Sequence, residues 1–146
     1  MSAISLLNET LQNKWSFETE MKIQQEMIPA MVEGKDVVAE SPTGSGKTLA
    51  FMLPILNKVD PSQKQTQALV VAPSQELAMQ IVEVIRDWTV GTDITVQQLI
   101  GGANSARQIE KLKKKPTIVV GTPGRLNELI RQGKLKLKDV QTVVLD

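Results

Sequence analysis

The sequence predicts an α/β fold: an open sheet of parallel strands flanked by helices. Three observations carry this. Short apolar, β-branched runs alternate with amphipathic segments along the 146 residues. Three of the runs lack polar alternation, as strands covered on both faces should. The first run leads into ESPTGSGKTLAF, residues 40–51, where Gly46, Lys47 and Thr48 stand in the order of a phosphate-binding loop.

The elements follow in order. The candidate strands are Val37-Val38-Ala39, Ala68 to Ala72, Ile94 to Ile100, Thr117 to Val120 and Thr142 to Leu145. A helix is expected to open at Lys47 and run through Leu49 to Lys58. Leu77, Ile81, Val84, Ile85 and Trp88 fall at helical spacing, and so do Leu126, Leu129 and Ile130. Thr122 is placed to cap the latter helix, with Pro123 at its first position and Gly133 beyond its end. Ser105 and Gln108 have capping-box spacing for a helix before Pro116. The segment Asp60 to Gln67 is polar throughout and reads as a surface connection. No internal repeat or low-complexity tract is visible.

Composition narrows the chemistry. The chain is the size of one domain, 41% hydrophobic, with a net charge of +1. No global basic field draws it to nucleic acid, so such contact must come from local placement of Lys, Arg and backbone N–H groups. The absence of cysteine excludes disulfides and thiolate metal sites and fits a cytoplasmic setting. The absence of histidine removes Ser-His-Asp chemistry and zinc hydrolysis. The N-terminus lacks a basic start and a sustained apolar run, so no signal peptide is expected. No apolar stretch approaches the roughly 20 residues of a membrane span. The aromatics are Trp15, Phe17, Phe51 and Trp88, too few for a broad base-stacking platform.

In open α/β sheets ligands bind beyond the carboxyl ends of the strands, and here every strand end carries something. After the first comes SPTGSGKT, residues 41–48. Gly44 and Gly46 let the backbone curl so that successive N–H groups face a phosphate. The helix starting at Lys47 adds its positive N-terminus. Lys47 would reach the outer phosphates, and the Thr48 hydroxyl would ligate Mg²⁺. The general pattern places a glycine where Ser41 stands. After the second strand comes Pro73-Ser74-Gln75-Glu76-Leu77-Ala78, after the third Gly101-Gly102, after the fourth Thr122-Pro123-Gly124-Arg125, and after the fifth Asp146. Each taken alone reads equally as a helix start, a turn or a solvated residue. Their joint order is harder to dismiss.

That order resembles the first RecA-like domain of DEAD-box ATP-dependent RNA helicases, over nearly the whole chain. The family writes its phosphate loop A-x-T-G-x-G-K-T, so Ser41, Thr43, Gly44, Ser45, Gly46, Lys47 and Thr48 are similar to its nucleotide-binding residues. Pro73 to Ala78 resembles motif Ia, Gly101-Gly102 the GG motif, Thr122 to Arg125 motif Ib, and Val143 to Asp146 the entrance to D-E-A-D. Phe17 to Gln24, F-E-T-E-M-K-I-Q, resembles the Q motif F-x-x-P-T-x-I-Q, with Glu20 and Met21 in place of Pro and Thr. The resemblance implies ATP and Mg²⁺ as cofactors, with Lys47, Thr48 and Asp146 catalytic and Thr48 and Asp146 organising the metal. It implies that Phe17 stacks on adenine and that Gln24 reads its edge, a pairing guanine cannot make. It divides the chain into a helical segment with the Q motif, residues 1–35, and a partial RecA-like domain, residues 36–146.

On the RNA side the resemblance implies backbone contacts from Ser74, Gln75, Gly101, Gly102, Thr122, Gly124 and Arg125. Backbone N–H groups and one Arg hold phosphates without reading sequence, so single-strand binding is expected to be sequence-independent and salt-dependent. In motif Ia, Ser74 and Gln75 replace Thr and Arg; the serine keeps a hydroxyl, while the glutamine loses a charge. The lysine runs 111–115 and 134–138 read first as solvated faces near helix ends and second as extensions of the RNA footprint. Ribosome biogenesis is the pathway the resemblance suggests.

In the family, hydrolysis also needs an acidic residue after the first Asp, a Ser-Ala-Thr motif and an arginine finger from a second RecA-like domain. The segment by itself is therefore expected to bind without hydrolysing or unwinding, and to associate through open sheet edges. The alternative function is a truncated, non-catalytic nucleotide- or RNA-binding module.

Overall fold

The computed structural model describes residues 2–42, 46–101 and 105–146. Thr43, Gly44 and Ser45 of the phosphate loop, and Gly102 of the glycine pair, lie outside the described residues. The chain forms two compact units, Met1–Lys58 and Val59–Asp146. This grouping follows contacts, whereas a division at residue 35 follows motifs.

The first unit is helical. A 3-10 turn, Ile4–Leu6, precedes α1 (Glu9–Lys14), α2 (Lys22–Val32) and α3 (Lys47–Lys58). Asn8 caps α1: its side chain accepts from the Leu11 N–H at 3.0 Å. Its own N–H donates to Asn57 Oδ1 at 2.7 Å, tying the start of α1 to the last turn of α3. α2 packs against α3, and Ile28, Phe51, Met52, Leu53 and Ile55 are buried.

The expected strand at Val37-Val38-Ala39 does not form. Residues 35–42 hold no regular element, and Val38 is 100% exposed. An apolar run becomes a strand only where a neighbour offers its ladder of N–H and C=O groups. The sheet contains no strand from this segment.

The second unit carries the predicted parallel sheet. It comprises β1 (Ala68–Val71), α4 (Gln75–Thr89), β2 (Val96–Leu99), α5 (Ser105–Leu112), β3 (Ile118–Gly121), α6 (Pro123–Arg131) and β4 (Thr142–Leu145). The spatial order is β2-β3-β1-β4. Every pairing is parallel, with Ala68 opposite both Ile118 and Thr142, and Val96 opposite Ile118. The strand ends therefore share one row.

On one face Leu69, Leu99 and Val119 join Leu112 of α5, Leu126 and Leu129 of α6, and Leu135 in a single core cluster. Burying one leucine fully contributes about 1.5–3 kcal/mol. α4 packs against β2 and β3, with Ala78, Ile81, Val82 and Ile85 buried. Of the five residues read from spacing, Ile81 and Ile85 are buried, whereas Leu77, Val84 and Trp88 are half-buried.

β1 and β3 are buried as expected, but β4 is not: Val143 is exposed and Leu145 is 78% exposed. Among the described residues β4 pairs only with β1. Gly133, at φ +70°, closes α6 as predicted. The expected capping box of Ser105 and Gln108 does not form. Ser105 is already helical, and both side chains are taken by Arg125.

Candidate functional site

In the second unit the parallel register sets four chain segments along one rim, in the order of β2, β3, β1 and β4. The ladder continues past the strands into these segments. Ala72 N–H donates to Gly121 O at 2.9 Å, Thr122 N–H to Leu99 O at 3.3 Å, and Asp146 N–H to Val71 O at 2.8 Å. Gly101, Thr122, Ser74 and Asp146 thereby follow the carboxyl ends of neighbouring strands.

Ser74 is the N-cap of α4, and its Oγ accepts from the Leu77 N–H at 3.2 Å. Accepting leaves the hydroxyl hydrogen to donate outward. Gln75 reaches across to the glycine turn, and its Nε2 donates to Gly101 O at 3.0 Å. The amide standing where the family carries a charge therefore holds the turn's carbonyl.

Thr122 is the N-cap of α6 by backbone geometry, but its hydroxyl makes no capping bond, contrary to the sequence expectation. The first turn instead begins with the Leu126 N–H donating to Thr122 O at 3.0 Å. Gly124, in that turn, is exposed, and a Cβ there would meet nothing within 4 Å. A helical glycine costs about 0.5–1 kcal/mol relative to alanine, and here no internal packing demands one. Gly121 is the opposite case, since its Cβ would fall 2.5 Å from Leu99 O and 2.8 Å from Leu126 Cδ2. It is a packing glycine, and the strand-end pattern alone gave it no notice.

Arg125 is 7% exposed. Its Nε donates to Gln108 Oε1 at 3.0 Å, one terminal nitrogen to Glu128 Oε1 at 3.0 Å, and the other to Ser105 Oγ at 2.8 Å. In this conformation the guanidinium organises the rim rather than projecting from it. Gln108 passes the linkage on: its Nε2 donates to Ile100 O at 3.0 Å, beside the glycine turn. Gln97 in turn donates from Nε2 to Gln108 O at 2.9 Å. The segments after β1, β2 and β3 are thus joined by side-chain amides and one buried guanidinium. The guanidinium's bonds to Gln108 and Ser105 are charge-assisted and the stronger ones, about 1.5–3 kcal/mol each. Periodicity gave no hint of Gln97 or of the inward turn of Gln108.

In the first unit α3 begins at Lys47, with Thr48 next to it in the opening turn. Gly46 precedes them at φ +82°, a conformation that favours glycine. Its carbonyl accepts the first helical bond, from the Ala50 N–H at 3.1 Å. A Cβ at Gly46 would lie 2.5 Å from Gln24 Nε2 and 3.0 Å from Met21 Cγ. This close approach is used: Gln24 Nε2 donates to Gly46 O at 3.2 Å. Gln24 Oε1 accepts from the Met21 N–H at 2.8 Å, closing the start of α2. Gln24 is 2% exposed, so both ends of its amide are committed inside the unit.

Phe17 is 56% exposed and meets Trp15 edge-on, with ring centroids 5.0 Å apart. Both rings line a depression of about 740 Å³ together with Glu20, Gln25 and Pro29. Glu20, which departs from the family's proline, has a structural task. Its two carboxylate oxygens accept from the Ala3 and Ile4 N–H groups at 3.0 and 3.1 Å. Ser41 is half-buried at the approach to the loop.

Comparison with known proteins agrees with this geometry. The DEAD/DEAH box helicase family matches residues 21–146. The chain is 52% identical over 139 residues to the DEAD-box ATP-dependent RNA helicase CshC of Bacillus cereus, covering 93% of this chain and 36% of that protein. The crystal structure of a DEAD box protein from the hyperthermophile Methanococcus jannaschii superposes with a TM-score of 0.89 at 33% identity, over 96% of this chain and 39% of that one. Saccharomyces cerevisiae Dbp5 bound to RNA and ADP BeF3 superposes with a TM-score of 0.86 at 31% identity, over 99% of this chain and 38% of that one. The chain spans about a third of the length of the curated relatives it matches. Its sheet is the RecA-like sheet of these helicases, and the chain belongs to the DEAD/DEAH box helicase family.

Proposed function

We propose that the chain is the ATP- and RNA-backbone-binding part of an ATP-dependent RNA helicase. The observation that carries this reading is the joined rim: Ser74, Gly101, Thr122 and Gly124 sit beyond consecutive strand ends and are cross-linked by Gln75, Gln108 and Arg125. Groups held by one network present a fixed spacing to a repeating phosphate backbone. Dbp5, a structural neighbour, is bound to RNA.

For the nucleotide, the residues present fit. Gly46 has no room for a side chain, Lys47 and Thr48 open a helix, and the helix N-terminus favours phosphate. Gly44, Thr43 and Ser45 would complete the cradle. Lys47 would hold the outer phosphates, and the Thr48 hydroxyl would ligate Mg²⁺, which supplies positive charge against the phosphates when bound. Phe17 offers an exposed ring for adenine. Gln24 would read the adenine edge by exchanging its bond to Gly46 O, so adenine recognition and loop position are linked through one amide. Arg125 would act on RNA by fixing Gly124 and Thr122, and Gln75 by fixing Gly101. A second RecA-like domain would supply the arginine finger, worth about 10³–10⁵ in rate. The lack of cysteine supports a cytoplasmic setting; ribosome biogenesis rests on the family resemblance alone.

The test is calorimetric binding by the intact protein. ATP should bind well ahead of GTP, and oligouridine and oligoadenosine should bind alike, with affinity falling steeply as salt rises. Equal affinity for ATP and GTP would remove the Gln24 assignment, and strong base preference would remove the backbone assignment.

A further inference from the structure

The fold gathers lysines at the opposite rim of the sheet from the motifs. In a parallel sheet every strand starts on the same side, so the segments leading into β1, β3 and β4 converge there. Those segments carry Lys64, Lys113, Lys115, Lys134, Lys136 and Lys138, all exposed, around a groove of about 580 Å³. Sequence position alone shows two basic runs and a lone lysine; the fold makes them one site. The strands between the two rims are four residues long, about 13 Å at 3.3 Å per residue.

Charge decides what this groove can hold. Six of the 17 basic residues of a chain with net charge +1 line it, against one lining carboxylate, Asp139. A second carboxylate, Glu110, pairs with Lys113 at 2.8 Å. Some of these lysines also complement the carboxyl ends of α5 and α6, which finish nearby. That role needs one or two cations, not six on three segments.

The apolar residues of the lining do not offer an anchor. Leu112 and Leu135 are buried in the core cluster, and Ile109 packs partly against it. Protein partners bind chiefly through apolar and aromatic anchors in desolvated pockets; none is exposed in the lining, and Leu137, 37% exposed on the same segment, lies outside it. A surface of spaced point charges without such anchors matches a phosphodiester backbone.

We propose that this groove is a second RNA-backbone site, separate from the strand-end motifs, which holds a flanking part of the same RNA. It rests on the RNA reading above only for the identity of the polyanion. Linking two weak sites through one strand raises affinity for long RNA without changing that for short RNA.

The experiment compares oligouridines of about ten and about thirty nucleotides, lengths chosen so that only the longer can link both sites. Each is titrated onto the intact protein and onto a variant carrying Lys64→Gln, Lys134→Gln, Lys136→Gln and Lys138→Gln. A second variant replaces the same four residues by arginine. The glutamine variant should bind the short RNA within about twofold of wild type and the long RNA at least about tenfold more weakly. Its salt slope for the long RNA should shrink by about 3, at roughly 0.7 per lost phosphate contact. The arginine variant should keep both affinities.

Unchanged binding of the long RNA, or an equal loss for both lengths, would overturn the proposal. So would polyglutamate competing better than long oligouridine, which would assign the groove to an acidic protein. Loss of long-RNA binding in the glutamine variant of a protein whose strand-end motifs bind no short RNA would uphold the groove and remove the strand-end reading.

Discussion

Gln24 Nε2 donates to Gly46 O at 3.2 Å, joining the residue assigned to adenine to the residue that opens the phosphate-loop helix. The other end of the same amide accepts from the Met21 N–H. One buried side chain therefore sets both the start of α2 and the backbone before α3.

Gln24→Glu should break this link. A carboxylate cannot donate to Gly46 O and would face that carbonyl at close range. Leaving buried polar groups unsatisfied costs about 1–3 kcal/mol each. Urea unfolding of the intact protein should show a loss in that range, and ATP affinity should fall with it. Unchanged stability would mean that the amide bond contributes nothing.

Gly124→Ala should separate stability from function. The open space around this helical glycine predicts a stability gain of about 0.5–1 kcal/mol. Single-stranded RNA should bind more weakly, because the methyl group occupies the surface assigned to the RNA backbone. Fluorescence anisotropy and chemical unfolding on the same sample read both effects.

Gly121→Ala should do the reverse. Its Cβ would meet the Leu99 carbonyl and the Leu126 side chain at under 3 Å. Overpacking of this kind costs about 1–3 kcal/mol. A melting temperature equal to wild type would contradict the packing role.

Arg125→Lys should cost more than its conservative chemistry suggests. A lysine cannot serve Gln108, Glu128 and Ser105 at once, and the rim network loses its hub. A loss of about 1.5–3 kcal/mol is expected. Glu128→Gln touches the same network at its half-exposed end and should cost under about 1 kcal/mol. Comparable losses in the two variants would place the energy in the ion pair rather than in the buried bonds.

Much of this was legible in the residue order. Apolar runs gave four of the five strands within two residues, most plainly β1 and β3, whose burial on both faces leaves an unbroken apolar pattern. The N-terminus of α3 at Lys47 and the start of α6 at Pro123 were written in glycine and proline positions. The segment 37–39 misled, since an apolar run does not encode who its neighbour is. The inward turn of Arg125 was also hidden. A motif spacing states which residues come together, but not that Gln108 and Ser105 would lie within reach of its guanidinium. Nor did two lysine runs some twenty residues apart announce one groove; only the common direction of the strands brings them together.

The central claim is a nucleotide site coupled to RNA. Its most direct test is steady-state ATP hydrolysis by the intact protein, with and without oligouridine, beside the Lys47→Ala variant. RNA should accelerate hydrolysis, and Lys47→Ala should lower the stimulated rate by at least about 100-fold, the scale of removing one preorganised charge contact. Hydrolysis that ignores RNA, or survives the loss of Lys47, would contradict the account.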